Sequence, residues 1–60
     1  MTRTEAKALV KEIIEWAKLM REDIRDKDWD NLLCDCDNID GICAQIREFA
    51  EEKYERALNK

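Results

Sequence analysis

The segment Cys34-Asp35-Cys36-Asp37-Asn38-Ile39-Asp40-Gly41-Ile42-Cys43 gathers thiols and carboxylates, two of the side-chain types that hold metal ions. A Cys-x-Cys pair with a third cysteine and an aspartate would suit zinc, which takes four thiolate, imidazole or carboxylate ligands. On a helix, however, Cys34 and Cys36 point about 200° apart and share no coordination sphere. The aspartates before Gly41 resemble a calcium loop, but the register fails. With Gly41 at the sixth position, Cys36 stands at the first and Arg47 at the twelfth, where carboxylates belong. Cys36 and Cys43 are therefore read as small packing residues and Cys34 as an exposed one, with no metal and no cofactor.

Catalysis has little to work with. The chain has no His, no Ser and no Gly-rich phosphate loop. Carboxylates alone serve some all-helical nucleotide hydrolases, but there they converge inward, and the inward positions here are apolar. The expectation is a non-enzyme, with no catalytic residues.

Charge is the more informative signal. Arg3, Lys7, Lys11, Lys18, Arg21 and Arg25 recur at steps of four, four, seven, three and four, with Ile14 in the gap. Such a stripe on one helix can meet phosphates, although Lys and Arg stems also serve simply to cover a core. The acidic residues gather elsewhere. Asp28, Asp30, Asp35, Asp37 and Asp40 fall in a stretch with no basic residue, within a chain of net charge −4. That block would engage a basic partner surface.

These residues need elements to position them, and the pattern specifies two helices. Thr2 and Glu5 form a Thr-x-x-Glu capping box. Ala6, Val10, Ile13, Ala17, Met20 and Ile24 come next at steps of four and three, flanked by Leu9, Ile14 and Trp16. Asp26-Lys27-Asp28 interrupts the pattern, and Asp28 is a good N-cap for a second helix. Beyond it, Trp29, Cys36, Cys43, Ala50 and Ala57 recur every seven residues, interleaved with Leu32, Ile39 and Ile46. The small residues of the first set alternate with the large residues of the second, so facing helices can interdigitate. Helices over about 3–26 and 29–58, joined by so short a turn, must lie antiparallel as a hairpin. Asp35, Asp37, Asn38, Asp40 and Gly41 are poor helix formers, and a break there would give three helices and a monomeric bundle. The seven-residue phase passes through Gly41 without a slip, which favours a continuous helix with at most a kink at 37–41.

Sixty residues make a single domain, 1–60, that buries only about 60% of its unfolded surface when alone. Small domains compensate with disulfides, metals or self-association. Three cysteines leave one thiol unpaired, and there is neither a signal-type nor a membrane-spanning apolar run. Self-association in a reduced, cytoplasmic setting is the expectation. The fold class is all-α: a helical hairpin forming a homodimeric antiparallel four-helix bundle. Its core and dimer contacts are assigned to Val10, Ile13, Ala17, Met20, Ile24, Trp29, Leu32, Cys36, Ile39, Cys43, Ile46 and Ala50.

Ile42-Cys43-x-x-Ile46-x-x-x-Ala50-Glu51-Glu52-x-Tyr54-x-x-x-Leu58 resembles the second helix of the Rop family of plasmid copy-number regulators. The Met-Thr-Arg start and Ala8-Leu9 are similar as well. The resemblance covers about half the chain. It implies a hairpin that dimerises into a four-helix bundle and grips paired RNA hairpins with its first helix. Arg3, Lys18 and Arg25 sit where its basic or polar contacts would be implied. Val10 and Ile14 depart from the family's polar and aromatic residues, and the segment from the turn to Cys43 is several residues longer.

The expected function is that of a small non-enzymatic regulator or inhibitor, similar to accessory products of phages and mobile elements. Its partner would be a protein with a basic surface, met by Asp28, Asp30, Asp35, Asp37 and Asp40. The alternative is an RNA-binding regulator using Arg3, Lys7, Lys11, Ile14, Lys18, Arg21 and Arg25.

Overall fold

The computed structural model describes residues 1–59 as two helices, α1 (Arg3–Arg25) and α2 (Trp29–Leu58), packed against each other. Thr2 caps α1 through its side-chain oxygen, which accepts from the Glu5 amide at 3.1 Å. The Glu5 carboxylate returns the contact, accepting from the Thr2 amide at 3.1 Å. Two of the four free donors at the helix start are thereby satisfied. The Thr2 amide and hydroxyl hold the Glu5 carboxyl below its ordinary range.

The exit from α1 is built by the backbone. The Lys27 amide donates to the Ile24 carbonyl at 3.2 Å, and the Asp28 amide to the Asp23 carbonyl at 2.8 Å. This pair of bonds is a Schellman motif, which demands a left-handed residue just past the cap. Lys27 supplies it with φ 56°, where glycine would be at ease. Asp28 then caps α2, its carboxylate accepting from the Asn31 amide at 3.3 Å.

α2 runs unbroken through Asp37–Gly41. Asn38 turns its amide back onto the Cys34 carbonyl at 2.9 Å, so a poor helix former is held on the helix surface. Gly41 keeps negative φ, and the space where a Cβ would stand is open.

The hairpin is long and thin, with extents of 51 × 17 × 13 Å. A slab one helix thick has no true interior, and among the described residues only Asp35 and Ile42 are buried. The inner face of α1 carries Ala6, Leu9, Ile13, Trp16, Met20 and Asp23, all half-buried. Opposite them α2 presents Asp28, Leu32, Asp35, Ile39, Ile42, Ile46 and Phe49, all half-buried or buried.

This contact is rotated from the sequence expectation. Ala6, Ile13 and Met20 on α1, and Leu32, Ile39 and Ile46 on α2, do take part. Their expected companions Val10, Ala17, Ile24, Trp29, Cys43 and Ala50 lie exposed, and Cys36 is only half-buried. Leu9, Trp16 and Asp23 replace the first set, and Asp28, Asp35, Ile42 and Phe49 the second. The reason is the width of the apolar sector: it spans three columns on each helix, and one neighbouring helix covers only two.

Candidate functional site

The third apolar column of each helix lies uncovered, on one edge of the hairpin. In an antiparallel pair, the positions one residue past the Leu9–Trp16–Asp23 column and one past the Asp28–Asp35–Ile42–Phe49 column flank the same edge, because both helices are right-handed and run opposite ways. That edge therefore carries Val10, Ala17 and Ile24 from α1 beside Trp29, Cys36, Cys43 and Ala50 from α2. Ile24 is 54% exposed and Trp29 56%. Exposed Ile14 and Leu33 extend the strip. The opposite edge carries Glu5, Glu12, Leu19 and Asp26 beside Asn31, Asn38, Gln45 and Glu52, and is polar apart from Leu19.

The acidic residues are split by the packing. Asp30, Asp37 and Asp40 are exposed around the turn end of α2. Asp28 is half-buried and occupied as a cap. Asp35 is withdrawn altogether: it is 6% exposed, in the seam rather than on the surface. There it lies within hydrogen-bonding reach of Asp23 on α1. One oxygen of each carboxyl, Oδ2, is sealed from solvent without a donor. The contact with Asp35, with partial burial and the further charges of Asp28 and Glu22, pushes Asp23 up to about 6.

The sequence expectation puts Asp35 on the partner-binding surface and gives Asp23 no role; the packing corrects both. Each placement is recoverable by counting: Asp23 falls three residues after Met20, and Asp35 three after Leu32. The run of aspartates around Asp35 disguises a seam position as part of a solvated block.

The basic stripe stays on the outer surface of α1, where Arg3, Lys7, Lys11, Lys18, Arg21 and Arg25 are exposed, as is Ile14. Lys18 pairs with Glu15 at 3.3 Å, and Arg25 with Asp26 at 3.1 Å. The Arg25 guanidinium is raised above its ordinary range by that hydrogen bond and charge. Lys18, Arg21, Glu22 and Arg25 line a shallow cleft. At the far end, the Lys53 ammonium sits 5.5 Å from the centre of the Phe49 ring, beside Arg3.

The three cysteines are free thiols, Cys34 and Cys43 exposed and Cys36 half-buried. Among the described residues, no group of three or more Cys, Asp or Glu side chains is arranged to hold a metal ion, and no helix is long and apolar enough to cross a membrane. Comparison with protein-family models, with curated proteins and with solved structures finds no match to this chain.

Proposed function

We propose that two hairpins associate through their apolar edges into an antiparallel four-helix bundle, and that this homodimer is a small non-enzymatic regulator or inhibitor. The observation that carries the dimer is the contrast between the two edges, one apolar along its length and the other polar. Surface area points the same way. The chain exposes 5161 Å², against about 4,100 Å² for a compact monomer of 7.2 kDa. The excess of about 1,000 Å² is the scale a standard interface removes from each partner, about 800 Å². A second copy brings the same strip, so a two-fold arrangement covers both at once. Sedimentation at micromolar concentration is expected to give twice the chain mass. A monomer at that concentration would overturn the reading.

The partner proposed for this bundle is a protein with a basic surface, met at the turn end by Asp30, Asp37 and Asp40, with Asp28 at their base. No basic residue lies between Asp28 and Asp40, and the nearby Arg25 is engaged by Asp26. The acidic end therefore keeps its field. An antiparallel dimer presents that end twice, once at each pole. A reduced, cytoplasmic setting suits the three free thiols.

A second reading, RNA binding, is favoured by the exposed stripe Arg3, Lys7, Lys11, Lys18, Arg21 and Arg25, with Ile14, and by the cleft that Lys18, Arg21 and Arg25 share. Pull-down from the native host, with proteins identified and nucleic acid sequenced in parallel, separates the two. A protein with a basic surface that is retained by the intact chain and lost with D30N/D37N/D40N supports the first. Specific RNA recovery supports the second.

A further inference from the structure

The apolar edge and the charged surfaces have roles in the dimer and its partners; the carboxyl pair in the seam has none. Apart from the capping Asp28, the other seam positions place apolar side chains between the helices, whereas here two carboxyls meet across α1 and α2 close to the turn. Asp35 is among the two most buried side chains of the described residues. Both Oδ2 atoms are sealed without a donor. Two ionised carboxylates in that position would repel at short range, with no cation between them. The other charges that act on Asp23 are those of Asp28 from the turn and Glu22 from α1, both negative. Arg25, two residues beyond Asp23, forks onto Asp26 instead, at 3.1 and 3.5 Å. One shared proton converts the repulsion into a hydrogen bond.

We propose that Asp23 and Asp35 form a proton-operated latch in which one shared proton closes the turn end of the hairpin and its release to solvent loosens it. The device lies within a single hairpin, so it is independent of what the bundle binds and of whether it dimerises.

The direction with pH comes from linkage. Asp23 has an ordinary value of 3.8 and is pushed up to about 6 in the folded chain. Below the ordinary value both folded and unfolded chains hold the proton, and the latch contributes fully. As pH rises from about 4 to 6 the unfolded chain releases the proton first, so stability falls. Above the folded value the contribution is lost. Glu5, held below its ordinary 4.5, acts in the opposite sense and in a lower window, so the two effects are separable.

The test is a carboxyl-carbon NMR titration of the intact chain, paired with urea unfolding between pH 4.5 and 7.5 at fixed chain concentration. The expected result is one carboxyl of the pair titrating near 6, and a urea midpoint that falls as pH rises through that value. In Asp35→Asn the side-chain amide donates to Asp23 at every pH. Asp23 should then return to the ordinary carboxylate range, and the pH slope of the urea midpoint should vanish. Titration of both carboxyls in the ordinary range in the folded wild-type chain would overturn the proposal, as would the same pH slope in Asp35→Asn. Should Asp35→Asn fail to fold, the wild-type titration decides alone.

Discussion

The Asp28 amide donates to the Asp23 carbonyl over 2.8 Å, so the residue that closes the turn through its backbone is the same one that meets Asp35 through its side chain. Turn geometry and seam electrostatics are thus tied to one position. Lys27, between them, adopts the left-handed conformation that the closure requires. Replacing it by glycine removes the Cβ penalty, and Lys27→Gly is expected to stabilise the hairpin by up to about 1 kcal/mol. Urea unfolding checks this; a loss of stability would mean that the lysine side chain makes a compensating contact.

Gly41 offers the complementary case. It lies inside α2 with negative φ and open space around it. Gly41→Ala should therefore stabilise by about 1 kcal/mol through helix propensity alone. A destabilising result in thermal unfolding would show that another chain packs against this position in solution.

Core truncations should separate the hairpin contact from the proposed dimer contact. Ile42 is buried within one hairpin at 8% exposure, and Ile42→Ala is expected to cost about 2–5 kcal/mol. Ile39 and Ile46 are half-buried in the hairpin. Their Ala variants should lose stability in a manner that depends on chain concentration, because a second copy covers the remainder. Cys36→Ala and Cys43→Ala should be milder, since small side chains leave small cavities. Unfolding curves at two chain concentrations provide the check.

Charge on the apolar edge should break the dimer while leaving the hairpin helical. Val10→Glu combined with Ile24→Glu places two carboxylates in the proposed interface, where desolvation penalises them. The expected outcome is a monomer by sedimentation that keeps its helical circular dichroism. A dimer of unchanged affinity would assign the interface to another face.

The two function readings diverge under charge removal. If the stripe binds RNA, Lys11, Lys18 and Arg25 changed together to Gln should abolish binding, and wild-type affinity should fall steeply with salt. If the acidic end recognises a protein, Asp30, Asp37 and Asp40 changed to Asn should remove activity while the stripe variant keeps it. Asp35 is left out of this set because it lies in the seam, where Asn would change the contact with Asp23 rather than the surface. Retained activity in the aspartate variant with loss in the stripe variant would favour RNA.

The helices themselves are legible in the amino-acid sequence, because their determinants are local. The Thr2–Glu5 box, the Asp28 cap and the unbroken seven-residue phase across Gly41 act within a few turns of chain. The apolar sector is legible too, as a set of residues: Ala6, Ile13 and Met20, and Leu32, Ile39 and Ile46, lie where the period puts them. The period leaves open which neighbour each column meets. A sector three columns wide satisfies two rotations equally well, and only the docking of α2 on α1 decided that Leu9, Trp16, Ile42 and Phe49 face inward while Val10, Ile24 and Trp29 face out. That choice also sent Asp23 and Asp35 into the seam. Charge counted along a chain carries no information about burial, so a buried carboxyl pair within an acidic block becomes visible only when two helices are brought together.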